Sequence, residues 1–194
     1  MSKRPKPRLS PPTEDKLTDQ QKTLRDAIAS GPRKQFNMSG PFAIWMESPE
    51  FGLLAQQLGG HVRYKTSLPP RLSEFAILCT ARTWRAQYEW MAHAPIAEKA
   101  GVKPETIRAI QAGRRPGAAP EDELAIYDFV KELYRDRRVG DATYARMKKV
   151  LGNNGLVELV GILGYYAMIS MMLNVFRAAV DADKPLPFRE PMPM

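Results

Sequence analysis

The chain has 194 residues, 44% of them hydrophobic, and this combination suits one globular domain with short extensions. Its formal net charge is +8, but the basic residues occur without any nucleic-acid-binding motif, so neither DNA nor RNA is an expected partner. A single cysteine excludes an internal disulfide and is typical of the reducing cytoplasm, which is the location that we predict.

Both ends of the chain are predicted to be tails. Residues 1–16 are basic and proline-rich, with little apolar content, so we expect them to be disordered. They also lack the apolar segment of a signal peptide. Residues 17–180 are expected to form one helical domain. The proline-rich residues 181–194 are expected to form a second tail that is either mobile or strapped onto a neighbouring subunit.

Helix signals begin directly after the first tail. Thr18 and Gln21 have the spacing of a capping box, which predicts a helix that runs to about Ser30. Residues 36–46 contain a Gly-Pro pair and are interpreted as a loop. The serine and proline at positions 48 and 49 predict the start of the next helix.

The stretch 70–95 carries the most informative pattern in the chain. It opens with prolines that suit a helix entry, and apolar residues then recur at three- and four-residue steps. The phase of this pattern shifts after Trp84, which predicts a break and a second helix from about Arg85. On that second helix Glu89 and His93 lie four residues apart and therefore share one face.

The second half of the chain is also predicted to be helical. Apolar spacing predicts helices over residues 103–113 and 121–134, and a further helix from Asp141, whose side chain is expected to cap it. A Gly-Asn-Asn-Gly run at 152–155 predicts a break before a long apolar helix over residues 156–179.

This last helix approaches the length of a membrane span. Glu158 and Asn174 interrupt its apolar run, and glycines at positions 161 and 164 permit close contacts with other helices. We therefore interpret it as a helix buried in the core or in a subunit interface, and we expect no membrane insertion.

Glu89 and His93 are candidates for acid/base chemistry. A carboxylate one helical turn from an imidazole can orient the ring, select its tautomer and favour its protonated form. The same spacing also occurs in ordinary structural contacts, so the pattern alone leaves both interpretations open. Glu74, on the preceding helix, is a third candidate that would extend the pair to a small relay.

The residues around these candidates resemble the carboxymuconolactone decarboxylase family, whose fold is shared with alkylhydroperoxidase-D-type (AhpD-like) proteins. The matching segments include residues 71–78, the Tyr-Glu-Trp motif at 88–90 and His93, and the resemblance extends over about residues 35–180. It implies an all-α, AhpD-like helical bundle with extended N- and C-terminal tails. It also implies a homo-oligomer, either a trimer or a hexamer.

The chain departs from the peroxidase branch of this family at the thiol positions. That branch uses a Cys-x-x-Cys pair together with a glutamate and a histidine, which correspond here to Glu74 and His93. Ala86 and Glu89 occupy the two cysteine positions, so thiol-dependent peroxide reduction is not expected. The one cysteine, Cys79, lies on the apolar side of its predicted helix and is expected to be a small buried hydrophobe.

The resemblance implies a cofactor-independent lyase similar to 4-carboxymuconolactone decarboxylase, which removes carbon dioxide from a small lactone carboxylate in aromatic catabolism. Neither a metal nor an organic cofactor is expected. We assign His93 as the proton carrier, Glu89 as the group that orients it, and Glu74 as a second acid or relay member. Two alternatives stay open: another cofactor-free lactone hydrolase or isomerase, and a non-catalytic helical oligomer.

An anionic carboxylate substrate requires a cationic contact, and the planar guanidinium of arginine suits that role. Arg63 is one candidate, with a solvated helix end as the alternative interpretation. Arg82 and Arg85 compete for the same role because they flank the predicted helix break. Tyr88 and Trp90 are assigned to substrate contact, with packing in the core or in a subunit contact as the alternative.

Overall fold

The computed structural model describes residues 6–189, and all regular structure in this range is helical. One 3-10 turn, Glu14–Lys16, precedes eight α-helices, which confirms the all-α prediction. The helices are α1 Asp19–Ser30, α2 Gly40–Trp45, α3 Pro49–Tyr64, α4 Pro70–Trp84, α5 Gln87–Lys99, α6 Pro104–Gln111, α7 Glu121–Asp136 and α8 Asp141–Phe176.

Local signals set most of the helix starts. The predicted capping box is present, because the Thr18 amide donates to Gln21 Oε1 at 2.9 Å and the Gln21 amide donates to Thr18 Oγ1 at 3.3 Å. Helices α3, α4 and α6 each begin at a proline, where the missing amide hydrogen removes no helical hydrogen bond.

Helix α4 lies at the centre of the fold. Residues 72–81 are all buried, and the helix contacts α5, α6, α7 and α8. Its largest buried side chain, Phe75, is completely inaccessible to solvent. Because other helices surround α4 on several sides, its side chains point into two separate polar regions, one that contains Glu74 and one that contains Arg82.

Two predictions about the helix boundaries are wrong. Residues 36–46 are not all loop, because they contain α2, whose first residue Gly40 has a φ of +55°. A Cβ on Gly40 would also lie 2.4 Å from the Tyr88 ring, so glycine supplies both the backbone conformation and the space. Asp141 does not cap α8, because Gly140 occupies the N-cap position and no side chain bonds there.

The predicted break at 152–155 is confirmed at Gly152, whose backbone is not helical. Gly152 has a φ of 67° and a ψ of −178°, and helical structure continues on both sides of it. Among the described residues, α8 is the one helix long and apolar enough to cross a membrane, and half of its most apolar stretch is buried inside the protein. Core helices of soluble proteins share this property, and α8 packs against α4 and α7 as such a helix does.

The outermost residues of both predicted tails, 1–5 and 190–194, lie outside the described range. Nearer the domain, the Arg8 amide donates to the Phe176 carbonyl at 3.0 Å, at the end of α8. At the other terminus, Gln87 exchanges two hydrogen bonds of 2.7 and 3.0 Å with the backbone of Phe188. This part of the C-terminal segment therefore straps onto its own chain.

Candidate active site

Glu74, His93 and Glu89 form one buried cluster. His93 Nδ1 lies 2.6 Å from Glu74 Oε2, and His93 Nε2 lies 3.4 Å from Glu89 Oε2. All three residues are at most 5% exposed. The structure therefore brings together the three residues proposed from the sequence, with the imidazole between the two carboxyl groups.

The turn between α4 and α5 makes this arrangement geometrically feasible. Helix α4 ends at Trp84, and Arg85 adopts a left-handed conformation with φ 49° and ψ 37° before α5 begins at Gln87. This confirms the predicted break near Trp84. The two helices then pack against each other, so that Glu74 meets a histidine 19 residues further along the chain.

The two glutamates have different roles in the geometry. The shorter contact is to Glu74, so this residue orients the ring, whereas the sequence interpretation assigned that role to Glu89. When Glu74 is ionised, Nδ1–H donates to it, which leaves Nε2 as the nitrogen that faces Glu89.

Glu89 is the carboxyl group most disturbed by its surroundings. Burial raises the pKa of Glu89, and the charges of His93 and Arg63 oppose this effect only in part. Its Oε2 makes no hydrogen bond within residues 6–189. A buried carboxyl group that holds its proton more tightly than usual and has a free oxygen is suited to donate a proton to another molecule.

Tyr166 of α8 closes one side of the cluster, and sequence reasoning did not assign it. Its ring packs edge-on against the His93 ring, with 5.1 Å between centroids and an interplanar angle of 86°. Burial raises the pKa of the Tyr166 phenol well above its usual value, so the group stays neutral. In the sequence, Tyr166 stands in a Gly-Tyr-Tyr run at residues 164–166, which falls inside the stretch of about 35–180 that resembles the family.

Arg63 is an arginine whose charge interacts with the two glutamates of the cluster. It is half-buried at the end of α3, and its guanidinium lies 5.3 Å from the Tyr64 ring centroid. Burial opposes its charge, but the neighbouring tyrosines and the two glutamates of the cluster raise the pKa of Arg63 above the usual value. Arg63 is therefore a partly exposed cation whose charge interacts with both glutamates of the cluster.

The other predicted substrate contacts lie elsewhere. Arg82 and Arg85 line a cavity among α4, α6 and α7 to which none of the three cluster residues contributes. Tyr88 Oη lies 2.9 Å from Ser39 Oγ, and Trp90 packs edge-on against Phe188 with 5.1 Å between centroids. Of the five predicted contacts, only Arg63 is electrostatically coupled to the cluster.

The cluster is a line of groups and not a converging ligand set. Its two carboxyl groups approach different nitrogens of one ring, and these nitrogens point away from each other. Residues 6–189 contain no set of three or more histidine, cysteine, aspartate or glutamate side chains arranged to hold a metal ion. The arrangement can instead pass a proton from one carboxyl group to the other through the imidazole.

Comparison with known proteins finds a family model that matches the part of the chain in which the cluster lies. The sequence model of the carboxymuconolactone decarboxylase family matches residues 49–132, a range that contains Glu74, Glu89 and His93. The match covers less than half of the chain and shows that this part of the chain is similar to the family. The matched range is narrower than the resemblance expected from the sequence, and no curated protein matches the chain.

A solved structure shares the fold of this chain. It is a protein of unknown function from Agrobacterium tumefaciens, described as a candidate antioxidant defence protein AhpD. The two chains are 15% identical with a TM-score of 0.63, and the match covers 74% of this chain and 96% of the other. At this identity the likeness confirms the AhpD-like fold alone.

Proposed function

We propose that this protein is a cofactor-independent carboxy-lyase that removes carbon dioxide from a small lactone or a related carboxylic acid. The observation that supports the proposal most directly is the contact of 2.6 Å between His93 and Glu74 beside a buried, proton-retaining Glu89. Such a set can transfer a proton near neutral pH, which is the chemical help that decarboxylation requires.

The reaction has two steps that the side chains can assist. Arg63 binds the substrate carboxylate and brings it from water toward an apolar site, which destabilises the charged ground state. The carbon–carbon bond breaks, carbon dioxide leaves, and its electron pair stays on the substrate carbon. Glu89 protonates that carbon, and one proton taken up from solvent then restores Glu89 through His93, whose ring Glu74 keeps oriented.

Thiol peroxidase chemistry does not suit this chain. The whole sequence contains one cysteine, so no second thiol can resolve an oxidised one within the chain. Cys79 is buried, and burial raises the pKa of its thiol well above the usual value. The reactive thiolate is therefore scarce, and proton transfer remains the chemistry that the cluster supports.

The direct test is incubation of the purified protein with 4-carboxymuconolactone while released carbon dioxide is measured. We expect turnover that falls by about 10²–10⁴-fold in a His93→Gln variant. His61→Gln is the matched control, because His61 is the only other histidine and is exposed on α3. No turnover with this or related lactone acids would contradict the proposal, as would full activity in a folded His93→Gln variant.

We also propose that the protein is a cytoplasmic homo-oligomer, a trimer or hexamer. Apolar side chains are exposed along α8, where Val157 and Val175 are 73% and 52% exposed, and on α3, where Leu54 is 70% exposed. A second copy of the chain would shelter these residues from water. Light scattering should give a molar mass for the wild type of three or six times the chain mass. The measured mass should be lower for a Val157→Glu variant, and a monomeric wild type would contradict the proposal.

A further inference from the structure

A second polar region lies on the side of α4 away from the cluster. It is a cavity of about 220 Å³, and it opens between the end of α4, the end of α6 and the middle of α7. Thr83, which lines it, lies nine residues after Glu74, which is about half a turn around the helix axis. The charged and hydroxyl-bearing side chains that line this cavity are those of Arg82, Thr83, Arg85, Tyr127 and Lys131.

The charge of this cavity is one-sided. Arg82, Arg85 and Lys131 line it, and no carboxylate from residues 6–189 does so. The nearby acids of α7 already have partners: Asp128 pairs with two arginines at 2.7 Å each, and Glu123 pairs with Arg71. Within the described range the three cavity cations therefore make no ion pair.

Arg82 is built into the wall of the cavity. Its guanidinium stacks on the Phe188 ring at 5.4 Å, and its Nε is buried without a hydrogen-bond partner among residues 6–189. A Cβ on Gly113 would lie 2.8 Å from the guanidinium, and Gly113 has a φ of +75°. The glycine thus leaves the space that Arg82 occupies, and the stacked ring holds the guanidinium in place.

The other two cations lie nearer to solvent. Arg85 and Lys131 are both exposed, whereas Arg82 is half-buried. Arg85 also keeps a left-handed backbone conformation that favours glycine, so this turn carries a charged side chain where glycine would fit more easily. Exposed cations that share a cavity with a half-buried guanidinium attract an anion from solution and present it to a fixed donor.

We propose that this cavity binds a small oxyanion with phosphate or carboxylate oxygens, separately from the proton-transfer cluster. The three uncompensated cations match the acceptor oxygens of such a ligand. The Thr83 and Tyr127 hydroxyl groups already donate to backbone carbonyls, so the cations carry the recognition. The cavity is smaller than the 300–1,000 Å³ or so of typical organic-ligand pockets, which restricts the ligand to the size of inorganic phosphate or a short dicarboxylate.

Titration calorimetry with inorganic phosphate, and separately with malonate, tests this site at an ionic strength held constant with sodium chloride. We expect saturable binding of at least one probe to the full chain, and binding at least ~10-fold weaker in Arg82→Gln and Lys131→Gln. Binding of phosphate alone or malonate alone identifies the preferred chemistry. His93→Gln should bind as the wild type does, because it alters only the cluster.

Arg108→Gln is the matched control, since Arg108 is an exposed arginine of α6 that does not line the cavity. Equal affinity in wild type, Arg82→Gln and Lys131→Gln would overturn the proposal, and so would an equal loss in Arg108→Gln. Lys131→Gln alters an exposed side chain, so it tests the site even if Arg82→Gln fails to fold. Binding of neither probe to the wild type also overturns it.

Discussion

On one side of α4, Glu74 contacts a histidine at 2.6 Å in a region closed to solvent, and a second carboxyl group faces the same ring. On the other side, Arg82 lines a cavity shared with exposed cations and makes no ion pair within the described residues. The first region couples its charges at contact distance, whereas the second leaves its charges uncompensated. Coupled buried groups are suited to exchange protons, and uncompensated accessible ones are suited to bind an anion.

The largest expected effect comes from neutralising one carboxyl group of the cluster at a time, which tests whether the cluster transfers protons. We expect Glu89→Gln to lower turnover by about 10²–10⁴-fold, because the proton donor is lost, and Glu74→Gln to have a smaller effect through the orientation of the ring. Steady-state decarboxylation rates measure both. Glu98→Gln, an exposed change on α5, is the control, and wild-type turnover in Glu89→Gln would remove this residue as the donor.

The thiol of Cys79 tests how far the cation-rich cavity is open to solvent, because Cys79 lines this cavity and is nevertheless buried. Nearby Lys131 favours the thiolate, but burial has the larger effect and raises the pKa of Cys79. We expect a thiol reagent such as 5,5′-dithiobis(2-nitrobenzoate) to react at least about 100-fold more slowly with the native protein than with the protein in guanidinium chloride. Equal rates would mean that the cavity is open down to this sulfur.

Phe188 packs on the cavity side, where its ring contacts both Arg82 and Trp90 of α5. We expect Phe188→Ala to lower the free energy of unfolding by about 2–4 kcal/mol, because a ring that is only 6% exposed is removed. Denaturant titration measures the change, with the exposed neighbour Arg189→Ala as the control. A loss below about 0.5 kcal/mol would show that the C-terminal segment contributes little to stability.

The pH dependence of stability is the smallest effect and distinguishes the buried carboxyl group from ordinary ones. Because the pKa of Glu89 is raised by folding, the native state binds its proton more tightly than the unfolded state. The free energy of unfolding should therefore fall as pH rises from about 4.5, the ordinary glutamate value, through the raised value, by up to about 1.4 kcal/mol per pH unit.

Glu89→Gln carries no ionisable group at this position and should lack this part of the decline. Urea denaturation across a pH series measures both proteins. Glu123 provides an internal comparison, because burial also raises the pKa of that carboxyl group while Arg71 opposes the effect. Identical pH profiles for wild type and Glu89→Gln would mean that Glu89 titrates alike in the folded and unfolded states.

The sequence predicted the helices where the signal is local. The capping box at Thr18 and the proline at the start of α4 were recognised because each depends on a few neighbouring residues. The break at Gly152 was also predicted, because a glycine-rich run favours a local departure from helical geometry. Helix α2 was missed because its six residues are too few to show a period.

The residues of the candidate site were likewise predicted where the signal is local and missed where it depends on helix packing. The pair Glu89 and His93 followed from spacing on one helix, and Glu74 from the family resemblance. Tyr166 could not be assigned, because its contact with His93 depends on how α8 crosses α5. Arg82 was predicted to lie near the substrate from its position beside the helix break, but the direction of its side chain around α4 carries it to the other cavity.

By itself, the sequence determined that the chain is helical, that it lacks a redox thiol pair and that an acid and an imidazole share one face of α5. Each of these depends on residue identity or on spacing within a single helix. Only the tertiary structure decided that Glu74 meets His93, that Glu89 is buried enough to retain its proton, and that three cations surround a separate cavity. The physical reason is that contact, burial and uncompensated charge depend on how distant helices pack, and no local pattern encodes their angles.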